Sequence, residues 1–220
     1  MILKNLYWYF HKAVPNHICD KILKLGLSSP SSQAITHGMN KYRNDSFRDL
    51  KKDPLTAAEK KILFKKRKNH VVWLEDPLIY KVLQPFVKTA NENAGWNFDW
   101  DWSERAQFGI YNPTGFYGWH TDSSAHVATN MKQPQTYGKI RKISCILQLS
   151  NSKDYEGGDF QFDFRGEDPD IEKRVIMPVP ALRDRGTVLC FPSFVWHRLT
   201  PLTKGKRHSL IIWNWGKPFK

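Results

Sequence analysis

The order of apolar and polar positions divides the chain into a helical first half and a β second half. In residues 15–27 the apolar side chains recur at helical spacing, and a serine cluster follows them. Asp53-Pro54 and Asp76-Pro77 each place an aspartate before a proline, which is typical of the first turn of a helix. We therefore predict three helices, of which the last ends near Asn93 and Gly95.

From residue 96 onward, short runs of aromatic and β-branched residues alternate with clusters of Gly, Pro, Asn and Asp. Such runs are typical of β-strands, and seven of them at this spacing indicate a sandwich, a barrel or a jelly roll. Because composition does not change between the halves, we predict one domain over residues 1–220, in which a mainly helical part (1–95) packs against a β core (96–216). The predicted strands are residues 105–111, 119–122, 140–149, 159–164, 187–191, 195–200 and 207–215.

Composition narrows the class of protein. A chain of 220 residues with 40% hydrophobic residues can bury a full core, which excludes a disordered protein. Cys19, Cys145 and Cys190 stand singly, without a zinc-type pair or an even disulfide set, and therefore predict a reducing compartment. No stretch approaches the roughly 20 apolar residues of a membrane span. We expect a cytoplasmic protein, or one of the host cytoplasm if a phage encodes it, that does not bind membranes.

The formal net charge of +13 indicates a surface that attracts anions. Residues 51–70 carry eight Lys or Arg and two acidic residues, and residues 185–220 carry seven and no acidic residue. The functional interpretation is an acidic protein or peptide, a nucleic acid or a membrane face as the partner. The alternative is a solvated basic surface that binds nothing.

Three residues predict a metal site. His120 and Asp122 lie two positions apart in a predicted strand, so both side chains should lie on one face. The His-x-Asp tripeptide is common by chance, but His197 follows Asp122 by 75 residues in another short apolar strand. Two histidines and one carboxylate form the facial triad of non-haem Fe(II) oxygenases. The alternative for His197 is a packed core residue.

Arg207 and Ser209 predict a carboxylate site beside the metal. Arg207 follows His197 by ten residues, across a turn that contains Pro201 and Gly205. If the two strands form a hairpin whose register places Arg207 and Ser209 opposite or diagonal to His197, all three side chains face one cavity. A guanidinium binds a carboxylate through two parallel hydrogen bonds, and a serine hydroxyl adds a donor. The alternative is a solvent-facing strand.

Together, His-x-Asp, the distal His and Arg-x-Ser resemble the 2-oxoglutarate/Fe(II)-dependent dioxygenase superfamily. Tyr111 and Tyr117 are similar to the tyrosines that precede the metal motif in its prolyl 4-hydroxylase-like branch, and residues 155–160 (Tyr-Glu-Gly-Gly-Asp-Phe) resemble its Gly-Gly segment. The resemblance covers residues 107–215. Residues 67–74 also resemble a strand of bacterial and phage members, with Asn69 where Ser is usual.

The resemblance implies an α+β fold with a double-stranded β-helix (jelly roll) core and N-terminal helices packed against it. It implies that the three ligands hold Fe(II), that Arg207 binds the far carboxylate of 2-oxoglutarate, and that Ser209 and Tyr111 assist. Tyr111 could equally bond a backbone carbonyl. The resemblance also implies that O2 is the second cosubstrate and that 2-oxoglutarate is converted to succinate and CO2. Ascorbate is a candidate reductant. The branch implies hydroxylation of a prolyl residue in a protein or peptide.

Candidate substrate contacts surround the open side of the metal. They are Tyr117, Trp119, Trp213 and Arg67, although Trp and Tyr are more often core residues. Two other functions stay open. The charge would suit oxidative demethylation of a nucleic-acid base, and a β module that binds metal without turnover would need only the three ligands. Zinc hydrolysis is a poor alternative, because no general base is evident.

Overall fold

The computed structural model describes residues 3–36, 52–124, 126–164 and 175–219. Its helices are α1 (Asn16–Ser28), α2 (Ala57–Leu63) and α3 (Pro77–Asn93). The strands that precede residue 100 are β1 (Trp8–Phe10), β2 (Ser32–Gln33), β3 (Arg67–Lys68) and β4 (His70–Leu74). The later strands are β5 (Trp102–Ser103), β6 (Ala106–Tyr111), β7 (Phe116–His120), β8 (Ile140–Gln148), β9 (Tyr155–Gly157), β10 (Phe160–Asp163), β11 (Ile176–Pro178), β12 (Val188–Pro192), β13 (Trp196–Leu199), β14 (Leu202–Gly205) and β15 (Arg207–Gly216).

The local sequence explains where the helices begin. In α3 the carboxylate of Asp76 accepts the N–H of Leu78 at 2.9 Å, as an N-cap does, and proline occupies the first turn. The prediction for α3 is thus confirmed. The predicted start of α2 at Asp53 is wrong, because Thr56 forms a capping box with Glu59 and α2 begins after it.

The described strands form two main antiparallel sheets. The larger has eight strands in the order β1-β12-β8-β15-β6-β4-β2, with β5 paired to the end of β15. The smaller has five strands in the order β11-β10-β13-β7-β3, and β14 pairs with β9 separately. Strands of the first half therefore join both sheets. Two facing antiparallel sheets with helices on the outside confirm the predicted α+β jelly roll.

Two apolar cores hold these layers together. The first lies between the helices and the outer face of the eight-stranded sheet, where Ile22 of α1 and Leu83 of α3 meet Phe108 of β6. The second lies between the sheets, where Phe191 of the large sheet meets Phe162 of the small one. Residues i and i+1 of one strand thus serve different cores.

The predicted strand 119–122 differs from the structure. β7 spans Phe116–His120 and ends before Asp122. The N–H groups of Asp122 and Ser123 both donate to the carbonyl oxygen of Ser193, which turns the chain toward the β12–β13 connection. The short strands β1, β2, β5, β9, β11 and β14 are absent from the prediction, whereas β3 and β4 lie within residues 67–74, which resemble a strand of bacterial and phage members. Among the described residues no helix combines the length and the apolar character needed to cross a membrane.

Candidate functional site

Three elements bring the predicted metal ligands together. His120 ends β7, His197 lies directly opposite it on β13, and Asp122 follows in the turn after β7. Nε2 of His120 lies 3.7 Å from Oδ1 of Asp122, and Nε2 of His197 lies 3.5 Å from Oδ2. One ligand atom from each residue lies within 4.8 Å of the other two. The arrangement thus depends on strand pairing and a turn, and not on strand alternation.

Backbone carbonyls orient both imidazoles. Nδ1 of His120 lies 2.8 Å from the carbonyl oxygen of Gly118, and Nδ1 of His197 lies 2.9 Å from that of Val195. When Nδ1 carries the proton, Nε2 presents its lone pair to the centre of the cluster. Burial lowers the pKa of His120 well below its ordinary value, and His197 adds to this effect. His120 is therefore neutral at neutral pH, as a metal ligand must be.

Asp122 is held as an ionised carboxylate. Burial alone would raise its pKa, but His197, His120 and Arg141 together outweigh burial and lower the pKa of this carboxyl. Oγ of Ser144 donates a hydrogen bond to Oδ2 of Asp122 at 2.7 Å and lies 2.9 Å from Oγ of Ser193. These contacts fix both the charge and the orientation of the third ligand.

This donor set fits a divalent metal. Donor atoms at about 2.1 Å from a metal, with ligand angles of about 90° to 120°, are about 3.0 to 3.6 Å apart, close to the observed separations. Two imidazoles and one carboxylate suit non-haem iron and leave coordination positions for small ligands. In the described part of the chain, His120, Asp122 and His197 are the His, Cys, Asp or Glu side chains that lie close enough together, three in one place, to hold a metal ion.

Arg207 and Ser209 reach the same interior from the opposite sheet. The predicted hairpin is wrong, because β13 belongs to the five-stranded sheet whereas β15 pairs with β6 and β8. The cause is β14, which pairs with β9 and carries the chain between the sheets. Arg207 and Ser209 share the inner face of β15 with Ile211, which packs in the core between the sheets.

The guanidinium of Arg207 is buried without an acidic partner in the described part of the chain. Its side chain is only 3% exposed, Nη1 donates to Oγ of Ser209 at 3.2 Å, and Nε has no hydrogen-bond partner. The ring of Tyr111 lies opposite on β6, 5.8 Å from the guanidinium carbon. Because an unpaired buried charge is costly, this environment fits an anionic ligand such as a carboxylate of 2-oxoglutarate. The Tyr111 hydroxyl makes no hydrogen bond to the described chain, so the alternative of a carbonyl partner is not observed.

Tyr117 and Arg67, two candidate substrate contacts, stack on the metal cluster. The ring of Tyr117 lies parallel to His120 with 3.4 Å between centroids, and the guanidinium carbon of Arg67 lies 4.2 Å from the same ring. Nε of Arg67 donates to Oδ1 of Asn69 and Nη2 donates to Oε1 of Gln107, both at 2.7 Å. The structure thus brings both residues to the site, with Arg67 behind Tyr117.

Trp213 borders the cluster together with residues that the sequence did not single out. The guanidinium carbon of Arg141 lies 4.0 Å from the centre of the Trp213 ring, and Nη2 and Nε of Arg141 donate to Oε2 of Glu104 at 2.6 and 2.9 Å. Nε1 of Trp213 lies close enough to Asp122 to help lower the pKa of that carboxyl, but it is buried without a hydrogen bond of ordinary geometry. Arg141 itself contacts the carbonyl oxygen of Asp122 at 3.3 Å.

A register shift explains why Arg141 and Ser144 were missed as site residues. Between β8 and β15 the pairing shifts next to Arg141, so Arg141 and Ser144 both face the site although they are three residues apart. Strict alternation would place them on opposite faces. The available signal was the group of three polar residues, Arg141, Lys142 and Ser144, in a mainly apolar strand.

Trp119 does not join the cluster. It precedes His120 on β7 and therefore lies on the other face, where its ring centre is 4.5 Å from the guanidinium carbon of Arg198. His126 is exposed in the loop after Asp122. His208 packs on the helix side with its ring 5.6 Å from that of Phe108.

A family model, the 2OG-Fe(II) oxygenase superfamily, matches residues 106–215, which contain all of these ligand candidates. A PKHD-type hydroxylase of Teredinibacter turnerae is 31% identical over 108 residues, and one of Alteromonas mediterranea is 28% identical over 107 residues. Each alignment covers about half of this chain (49% and 48%) and 41% of the relative. The chain thus spans less than half the length of these curated relatives.

Solved structures share the fold at low sequence identity. A viral collagen prolyl hydroxylase from Paramecium Bursaria Chlorella virus-1, in complex with 2OG, is 14% identical with a TM-score of 0.58, and 97% of each chain is covered. A prolyl-4-hydroxylase of Pseudomonas putida is 14% identical with a TM-score of 0.60, covering 98% of this chain and 95% of that one. Fold, cluster geometry and the family match agree: the chain belongs to the 2OG-Fe(II) oxygenase superfamily, whose metal is Fe(II) and whose cosubstrate is 2-oxoglutarate.

Proposed function

We propose that this chain is a dioxygenase that uses Fe(II), 2-oxoglutarate and O2 to hydroxylate a C–H bond of a prolyl residue in a protein or peptide. One observation supports the activity above all others. A metal-ligand cluster of two histidines and one ionised carboxylate faces the same interior as a buried guanidinium that has no acidic partner among the described residues. A module that only binds metal would need the cluster and not the guanidinium.

Each residue has a defined part in this proposal. His120, Asp122 and His197 would hold the iron, which supplies the activation of O2 and the oxidation of the C–H bond when it is bound. Arg207 would bind the far carboxylate of 2-oxoglutarate with help from Ser209 and Tyr111. The sheets around them exclude bulk water, which strengthens these charged contacts. No side chain is needed as a general base.

The aromatic and basic residues beside the cluster support a polypeptide substrate. Tyr117 and Trp213 flank the ligands, and Trp73, with 39% of its surface exposed, lies 6.1 Å from the ring of Trp213. Aromatic-lined grooves bind proline-rich segments, because such segments are already extended and lose little entropy on binding. A prolyl hydroxylase from Trichoplax adhaerens, 13% identical with a TM-score of 0.62, is solved with a peptide fragment of hypoxia inducible factor.

The test is succinate formation by the anaerobically purified, Fe(II)-loaded protein after exposure to O2 and 2-oxoglutarate. It is run with and without proline-containing peptides, beside His197→Ala and the wild-type protein without iron. We expect iron-dependent succinate that rises with peptide and is lost in His197→Ala, together with a peptide product heavier by one oxygen. Because the substituted residue holds the metal, circular dichroism must show that His197→Ala is folded.

The other outcomes separate the remaining functions. Succinate without any effect of peptides would retain the oxygenase and contradict the prolyl substrate, and a methylated oligonucleotide would then be tested. No succinate, together with no binding of 2-oxoglutarate in calorimetry, would contradict the oxygenase and favour a metal-binding module.

A further inference from the structure

A basic ledge lies at the edge of the five-stranded sheet. We use this name for the exposed side chains of α2 and β3 and of the turn between them. The helix buries Leu63 and leaves Ile62 and Phe64 at the surface, where they are 55% and 40% exposed. The members of the ledge are Lys60, Lys61, Ile62, Phe64, Lys65, Lys66 and Lys68.

The charge of the ledge is not neutralised within the described chain. None of its five lysines forms an ion pair with a described residue, and Lys68 instead donates to Oγ1 of Thr114. Residues 60–74 contain no acidic side chain. An apolar pair of side chains surrounded by unpaired lysines suits an anionic partner that also carries apolar groups.

The ledge is continuous with the metal site through the backbone. β3 pairs with β7, which ends at His120, and Arg67 lies opposite Tyr117 in this pairing. The carbonyl oxygen of Lys66 accepts the N–H of Gly118 at 2.8 Å, two residues before the ligand. A chain bound on the ledge can therefore continue into the site without a long connection.

Arg67 extends the positive charge inward. It is 5% exposed, and its hydrogen-bond acceptors are neutral, namely Oδ1 of Asn69, Oε1 of Gln107 and, at 3.5 Å, the carbonyl oxygen of Ile35. No described carboxylate forms an ion pair with this guanidinium, so positive charge lies both on the surface of α2 and directly behind the ring of Tyr117. Two independent features, one exposed and one buried, thus favour an anion on the same path.

From these observations we propose that the basic ledge binds an acidic segment of the polypeptide substrate, with apolar side chains on Ile62 and Phe64, and so directs the neighbouring part of the substrate to the metal. This inference rests on the proposed function, because it names the substrate class of the same site. It predicts substrates with Glu or Asp near the hydroxylated residue. Binding should weaken with salt, because exposed charges are screened.

The test compares two labelled peptides with the same central proline, one flanked by Glu and Leu, the other by Lys and Leu. Fluorescence anisotropy measures their affinity for the Fe(II)- and 2-oxoglutarate-loaded protein under nitrogen. We expect the acidic peptide to bind several-fold more tightly at low salt. The double variant Lys61→Glu/Lys65→Glu should weaken it by about tenfold, since each reversal removes one attraction and adds one repulsion.

A matched pair on α1 provides the control. Lys21 and Lys24 are exposed, and their substitution as Lys21→Glu/Lys24→Glu changes net charge equally on the helix side of the large sheet. This variant should change affinity by less than about twofold. Ile62→Ser/Phe64→Ser should weaken binding of both peptides, because it removes the apolar contact.

Three results would contradict the proposal that the ledge binds acidic chains. The two lysine double variants could weaken peptide binding equally, or the two peptides could bind with equal affinity. Alternatively, a single-stranded oligonucleotide or anionic lipid vesicles could bind more tightly than the acidic peptide, in a manner that depends on the ledge lysines. Succinate formation without peptide should be unchanged in Lys61→Glu/Lys65→Glu. A wild-type protein that forms no succinate would contradict the proposed function, whereas the anisotropy comparison alone decides whether the ledge binds acidic chains.

Discussion

The two faces of the eight-stranded sheet are built from alternate residues of the same strands and differ in kind. The helix side is mainly apolar, with Phe108, Cys145, Leu147 and Leu210 fully buried against α1 and α3. The inner side combines apolar residues with buried polar ones. Three buried polar atoms on it lack a hydrogen-bond partner: Oε1 of Gln148, Nε of Arg207 and Nε1 of Trp213.

The difference shows how one strand can serve stability and function at once. Burial of apolar area stabilises the helix side, and its side chains need only size and shape. On the inner side, polar groups without partners cost free energy unless a ligand satisfies them. We therefore expect substitutions on the helix side to change the free energy of unfolding, and those on the inner side to change ligand affinity.

The largest expected effect is that of Phe108→Ala on the helix side. The ring of Phe108 is fully buried between α1, α3 and the sheet, and its removal leaves a cavity. The free energy of unfolding should fall by about 3–5 kcal/mol. Urea denaturation followed by circular dichroism measures the change. Loss of 2-oxoglutarate affinity by the folded variant, without loss of stability, would contradict the division between the two faces.

On the inner side, Arg207→Met should change ligand affinity and not stability. The substitution retains much of the side-chain volume but removes the charge. The affinity for 2-oxoglutarate should fall by about a hundredfold, since the carboxylate loses its buried cation. Because the lost charge has no acidic partner among described residues, the free energy of unfolding should be unchanged or higher. Calorimetry with 2-oxoglutarate and urea denaturation measure the two quantities. Arg207→Lys is the control and should retain part of the affinity.

The same comparison explains how much of the fold the sequence could predict. Long periodic segments such as α1 and α3, and strands such as β6 and β8, carry one strong pattern and were predicted closely. The two-residue strands β2 and β3 carry no period at all. For α2, Asp53-Pro54 predicts a start that is too early, although Thr56-x-x-Glu59 is also a capping-box pattern in the sequence, and it is this box that begins the helix.

For the site, the sequence predicted which residues take part better than it predicted how they are arranged in space. His120, Asp122 and His197 do cluster, but by strand pairing and a turn that the Ser193 carbonyl stabilises. Arg207 does face the interior, but from the other sheet. The reason is physical: spacing along a chain constrains neighbours on one strand, whereas the pairing of distant strands depends on packing of the whole sandwich.

After Phe108→Ala and Arg207→Met, the next largest effect should be that of Gly26→Ala, on the free energy of unfolding. A Cβ at residue 26 would lie 2.5 Å from the ring of Phe108, so α1 or the ring must move. We expect a loss of about 1–3 kcal/mol in the free energy of unfolding, although alanine is the better helix former. The smaller Phe108→Leu side chain should make room, so Gly26→Ala should cost less in that background. Additive losses in the double variant would contradict the close contact.

The smallest effect should come from Ser144→Ala, which changes the surroundings of the metal site but leaves the three metal ligands in place. Its hydroxyl orients Asp122 through a 2.7 Å hydrogen bond, so without it the carboxylate can rotate away from the histidines. Fe(II) affinity should fall by about tenfold, measured by competition with a chelator under nitrogen. Ser103→Ala is the matched control, because Ser103 is also buried and bonds Oδ1 of Asn214 at 2.8 Å, remote from the metal ligands in sequence and in hydrogen bonding. It should lower stability and leave Fe(II) affinity unchanged. If both serine variants weaken iron equally, Ser144 acts through general stability and not through the orientation of Asp122.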